Sequence, residues 1–229
     1  MSDSARPPVI VNPLPASVVA LAVVIFGLEC LFSLMDRGLI GGATPIGRRQ
    51  AALELYAFHG AAFDWMLETR RFPPELLAQL LTYPLIHLSF TQTVMACVFI
   101  LAIGKMVGEA FGNVSVLVLF FAGAIAGAVT YALVLDEAYP LIGAFPGIYS
   151  LIGGFTFMKW VHQKAMGDSQ AKAFQLIGFL LGIQILFGMI FGTHFDWVAD
   201  VAGFVAGFLL SFLLVPGGWA RIREMLRNR

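Results

Sequence analysis

Six stretches of the chain are apolar almost throughout: Ala16–Met35, Tyr83–Ile103, Val114–Leu135, Pro140–Met158, Phe174–Phe191 and Trp197–Val215. Crossing the hydrocarbon core takes roughly 20 mostly apolar residues. Lipid offers backbone N–H and C=O groups no partner but each other, so each stretch is predicted to be a transmembrane helix. The fifth is the shortest and the second the most polar. Residues 36–82 carry a different pattern, in which Leu53, Leu55, Tyr56, Phe58, Phe63, Trp65 and Met66 alternate with Glu54, Asp64, Glu68, Arg70 and Arg71. That mixture predicts short helices lying in the outer membrane interface, with Pro73-Pro74 breaking the chain before the second span. Glycines four residues apart (Gly123/Gly127, Gly143/Gly147, Gly178/Gly182 and Gly203/Gly207) predict faces on which helix backbones approach closely. The chain therefore divides into a short N-terminal segment (1–15), one membrane domain (16–217, with 36–82 as its interfacial loop) and a basic tail (218–229), without internal repeats. The glycine faces can be consumed inside the bundle and predict no dimer.

Composition agrees with the pattern. Charged residues make up 12% of the 229, against about 25% in a soluble domain, so an integral membrane protein is expected. Net charge is zero and the basic residues are dispersed, which gives nucleic acid no patch to bind. Cys30 and Cys97 lie inside apolar runs and read as small hydrophobes, not as a disulfide or a metal site. With the N-terminus inside, the short inside segments collect Arg6, Lys105, Lys159, Lys164, Lys172, Arg221, Arg223, Arg227 and Arg229. The short outside loops hold Asp136, Glu137, His194 and Asp196 and no Lys or Arg. Both termini are therefore expected in the cytoplasm, which in a bacterial cell means the inner membrane. No cleaved signal peptide is expected, because no basic segment and small-residue cleavage site precede the first span.

The motifs lie in the later spans. Leu141–Gly154 reads Leu-Ile-Gly-Ala-Phe-Pro-Gly-Ile-Tyr-Ser-Leu-Ile-Gly-Gly, and Ala199–Gly203 reads Ala-Asp-Val-Ala-Gly with Gly207 four residues on. Leu80-Leu81-Thr82 leads to His87, and Gly104 and Gly112 bracket Glu109. Together these segments, over about Leu80 to Val215, resemble the rhomboid family of intramembrane serine proteases. Gly143, Tyr149, Gly153, Ala199, Gly203 and Gly207 fall on the family's scaffold positions. The resemblance implies an all-α integral membrane protein, a six-transmembrane-helix rhomboid-like bundle. It also puts the nucleophilic serine at Phe145 and the histidine base at Asp200. His87 matches the family's first histidine, while Gln92 and Ala96 stand where a second histidine and an asparagine support the oxyanion. Those positions make His87, Gln92, Ala96 and Tyr149 the candidate cavity residues.

Acyl transfer needs a nucleophilic oxygen, a base within hydrogen-bond reach and donors aimed at the developing oxyanion. Phe145 has no nucleophilic atom, Ala96 no donor, and Pro146 no N–H. The resemblance therefore implies an inactive member that binds membrane-spanning client helices and affects their stability or trafficking. Phe145 and Tyr149 would fill the former active site. The competing reading is a serine endopeptidase with a relocated Ser150–His194 pair; the side chain of Ser150 points about 140° around the helix from Phe145. A third is a proton or solute pathway centred on Asp200, since an ionisable side chain inside a span marks a functional site by default. Against these stands a structural role in which Asp200 bonds the Tyr149 hydroxyl or a backbone carbonyl. Glu29, in the first span, either pairs within the bundle or sits near its surface. No cofactor or metal is expected; His87, Gln92 and His194 gather near the outer mouth without metal-ligand spacing.

Overall fold

The structure, a computed structural model, describes residues 13–40, 48–135, 139–191 and 196–215. Its helices are α1 (Ala16–Asp36), α2 (Arg48–Tyr56), α3 (Gly60–Thr69), α4 (Pro74–Thr82), α5 (Phe90–Phe111), α6 (Asn113–Val134), α7 (Phe145–Met166), α8 (Gln175–Phe191) and α9 (Trp197–Leu214). Among the described residues, extended pairing is limited to one isolated bridge between Phe58 and Leu141. Helices α1, α5, α6 and α9 are long and apolar enough to cross a membrane. Helix α7 has 22 residues but carries Lys159, His162 and Lys164 in its second half. Helix α8 has 17, a rise of about 25 Å against a core of about 30 Å.

Two helix starts differ from the hydropathy pattern. The second apolar run begins at Tyr83, yet α5 starts at Phe90: Tyr83–Leu85 is a single 3-10 turn, and Ser89 caps α5 by accepting the Gln92 N–H at 3.3 Å. The fourth run begins at Pro140, yet α7 starts at Phe145, because Gly143 takes φ +102° and cannot be helical. That helix runs past Met158 to Met166 and stops at Gly167, with φ +73°. The break expected at Pro73-Pro74 falls between α3 and α4, with residues 71–73 outside any helix, and a further helix starts there before the second span. Pro74 is the first residue of α4, where its missing N–H costs nothing.

The centre of the bundle is the packing of α6, α7 and α9. Glycine makes it close: Gly203 lies on the Pro146 carbonyl, Gly207 on the Ser150 carbonyl and Gly153 on the Phe204 carbonyl. The glycine-spacing expectation fails on two pairs. At Gly178 and Gly182 of α8 a Cβ would find nothing within 4 Å, and Gly143 lies outside any helix.

Helices α2–α4 close one end of the bundle. Phe58, Tyr83, Ala128, Tyr131, Leu141 and Ala199 form one buried cluster there, and Phe32, Leu53, Ala57 and Ile86 another. Glu29 of α1, only 2% exposed, is not at the surface. Arg49 of α2 donates to both of its oxygens, at 2.8 and 3.0 Å. Ser33 donates at 3.0 Å and Thr93 of α5 at 3.1 Å. Arg49 further donates to Asp36 at 3.0 Å and to the His87 carbonyl at 3.2 Å. One guanidinium thus ties α1, α2 and the turn before α5 together.

Candidate functional site

The start of α7 is held by the turn that precedes α5. The Gly143 N–H donates to the Tyr83 carbonyl at 3.0 Å, and the Ala144 N–H donates to His87 Nε2 at 3.3 Å. An Nε2 that accepts must be unprotonated. Burial makes this its natural state, pushing His87 down from about 6.5 to about 4, with the Glu29 charge opposing only in part. Between those values the unfolded chain binds a proton that the folded one does not. The folded state therefore keeps its full stability above pH 6.5 and loses it as pH falls toward 4, by at most about 1.4 kcal/mol per unit. Thermal unfolding in detergent is expected to show this loss, accompanied by faster exchange of the Ala144 amide. His87→Gln, whose amide oxygen accepts without titrating, should remove the step.

Between α5, α7, α8 and the start of α9 lies a cavity of about 810 Å³. Phe145, Tyr149, Gln92 and Asp200 all line it, with Met95, Phe99, Phe179 and Ile183 as apolar wall. Phe145 and Tyr149 border this space and do not fill it. Asp200 is 3% exposed. It does not meet the Tyr149 hydroxyl directly as expected, because Gln184 of α8 stands between. Gln184 Nε2 donates to Asp200 Oδ2 at 2.7 Å, and the Tyr149 hydroxyl donates to Gln184 Oε1 at 3.1 Å. Sequence reasoning passed over Gln184, although a lone amide in an apolar run was the available signal: in lipid it must find a polar partner.

The other candidates lie apart from the cavity or do other work. Ser150 is fully buried against α6, where its Oγ donates to the Leu119 carbonyl at 2.6 Å. His194 lies outside the described residues. Ala96 is buried in the apolar core. Gln92 Oε1 accepts the Leu88 N–H at 2.9 Å, and its Nε2 lies 3.1 Å from where a side chain on Gly143 would begin. Two hydroxyl residues missed in the sequence, Ser89 and Thr91, also line the cavity, and Ser89 Oγ serves as the α5 cap. Among the described residues no histidine lines the space.

Residues 74–217 match the Rhomboid domain. The chain belongs to the rhomboid family. No curated protein matches it in sequence. The matched region begins at the first residue of α4 and takes in every helix that borders the cavity. With its apolar helices, this makes the protein a rhomboid-like integral membrane protein with an all-helical fold. Gly153 of α7 and Gly203 and Gly207 of α9, which the resemblance puts on scaffold positions, lie where the backbones of these two helices approach closely. The positions that the resemblance assigns to nucleophile and base, Phe145 and Asp200, border one space.

Proposed function

We propose that this rhomboid-family protein is proteolytically inactive and binds transmembrane client helices, affecting their stability or trafficking. The supporting observation is the cavity wall. Phe145 and Asp200 face it where a serine and a histidine would act, and its hydrophobic lining suits a helix more than a polar substrate. Loss of one oxyanion donor costs a serine protease about 2.7–4 kcal/mol in the transition state, and here nucleophile, base and the Ala96 donor are absent together. On this reading the domain is a six-span bundle in a bacterial inner membrane with both termini cytoplasmic. Helices α7 and α8 join α1, α5, α6 and α9 as spans, and residues 36–82 lie on the outer side. A client reaches the cavity between α5 and α8. Residues 218–229 form a basic cytoplasmic tail, and the lipid bilayer is the other partner.

The test uses the purified protein in liposomes with a generic rhomboid substrate helix. No cleavage is expected from the native protein, with or without a serine-directed fluorophosphonate. A photocrosslinker at Phe179 or Met95, both on the cavity wall, is expected to capture the intact helix. Cleavage that disappears in Ser150→Ala would overturn the reading and make the protein a relocated serine endopeptidase. The bond from Ser150 to the Leu119 carbonyl speaks against that outcome.

A further inference from the structure

Among the described residues, two carboxyl groups are buried between the helices, and the fold treats them differently. Glu29 receives two guanidinium N–H groups and two hydroxyls. Asp200, as deeply buried, receives one amide: Gln184 donates to Oδ2, and Oδ1 accepts from no described residue. Ionisable side chains within membrane helices ordinarily pair with one another or with backbone groups. Glu29 meets that rule inside the chain and Asp200, among the described residues, does not. Its carboxyl borders a cavity whose lining includes Asp196 but no lysine, arginine or histidine among the described residues.

Starting from the client-binding reading above, we infer that Asp200 makes the cavity selective for client helices that carry a lysine or arginine. The client's ammonium or guanidinium donates to Asp200 Oδ1, while its methylene stem lies along Phe145 and Ile183. The acceptor is preorganised: Gln184 holds Oδ2, and the Tyr149 hydroxyl in turn fixes the Gln184 amide. Because Gln184 sits on α8, Tyr149 on α7 and Asp200 on α9, three of the four helices that border the space are joined by one chain of polar contacts. Asp200 lies in the first turn of α9, so the cation must arrive near that end of the client helix and not at its middle. A cationic side chain unpaired in lipid is costly for the client, and meeting a buried carboxylate relieves that cost. The position that the family resemblance gives to a base becomes a charge-recognition position.

The experiment compares synthetic Leu/Ala transmembrane peptides in liposomes free of amine lipids. One carries a single lysine level with Asp200, one carries methionine there, and one carries the lysine at the opposite end. Binding is read by energy transfer to a dye on the full-length protein. The level-lysine peptide is expected to bind at least tenfold tighter than the other two. That advantage should be lost in Asp200→Asn and retained in Asp200→Glu. Because the charge is also removed on the peptide, the comparison stands even where a protein variant folds poorly. Equal binding of the lysine and methionine peptides would overturn the selectivity while leaving client binding intact. Binding of none of them would overturn the client-binding reading itself. A lysine advantage that vanishes once phosphatidylethanolamine is added would assign the site to a lipid amine and overturn the proposal.

Discussion

Replacing Arg49 with alanine is expected to destabilise the fold by about 3–5 kcal/mol, the usual cost of leaving one partner of a buried ion pair alone. The size follows from where each partner sits. The Glu29 side chain is 1% exposed and that of Arg49 17%, so the carboxylate is the one stranded without solvent. Among the described residues, only Ser33 and Thr93 would remain as its donors. The variant would also release Asp36 and the His87 carbonyl, unfastening α2 from α1 and from the turn before α5. Glu29→Gln should cost less, because Arg49 keeps Asp36 and reaches solvent. The double variant Arg49→Ala/Glu29→Gln should recover much of the loss, since no charge is then buried. A thermodynamic cycle over the three variants in detergent or nanodiscs isolates the pairwise energy. A single Arg49→Ala variant within about 1 kcal/mol of the native protein would mean that water reaches Glu29, and that the pair is a surface contact.

The same pair shows what a sequence can and cannot carry. Glu29 stands out at once as a charge in an apolar run, and a partner is demanded by physics. Which partner is a matter of tertiary geometry. Arg49 lies 20 residues away, beyond the end of α1, and Arg37, Arg48, Arg70 and Arg71 of the same loop were equally eligible by sequence. Asp200 was equally conspicuous, and Gln184 hid for the same reason. That the long apolar runs are helical was legible, because a backbone among apolar surroundings has no partner but itself. The helix starts were not, because apolar content cannot distinguish the 3-10 turn at Tyr83–Leu85 from the first turn of a span. The family resemblance was carried by glycines, and it is the backbone contacts of Gly153, Gly203 and Gly207 that give those positions meaning. The same spacing at Gly178 and Gly182 carried none, since small-residue spacing shows that a close approach is allowed without showing that one occurs.

Gly207→Ala should therefore be severe and Gly178→Ala nearly silent, although both add one methyl to a helix. At Gly207 the new Cβ would meet the Ser150 carbonyl oxygen, with the Ser150 Cα and carbonyl carbon at 2.6 Å. These are backbone atoms of α7 that cannot turn aside, so the two helices must separate. Overpacking costs about 1–3 kcal/mol where side chains can adjust and more where they cannot; about 3 kcal/mol or more is expected here. Gly203→Ala should act similarly through the Pro146 carbonyl. Because Gly203 lies three residues past Asp200, it should also loosen the Tyr149–Gln184–Asp200 contacts before the bundle unfolds. Gly178 faces open space, so alanine there should change stability by at most about 1 kcal/mol, in the stabilising direction, through its better helix propensity. Thermal unfolding of the three variants in nanodiscs decides the matter. If Gly178→Ala proved as damaging as Gly207→Ala, α8 would have to pack against a surface that the monomer does not supply. The cavity would then be closed by a second molecule, in place of being left for a client helix.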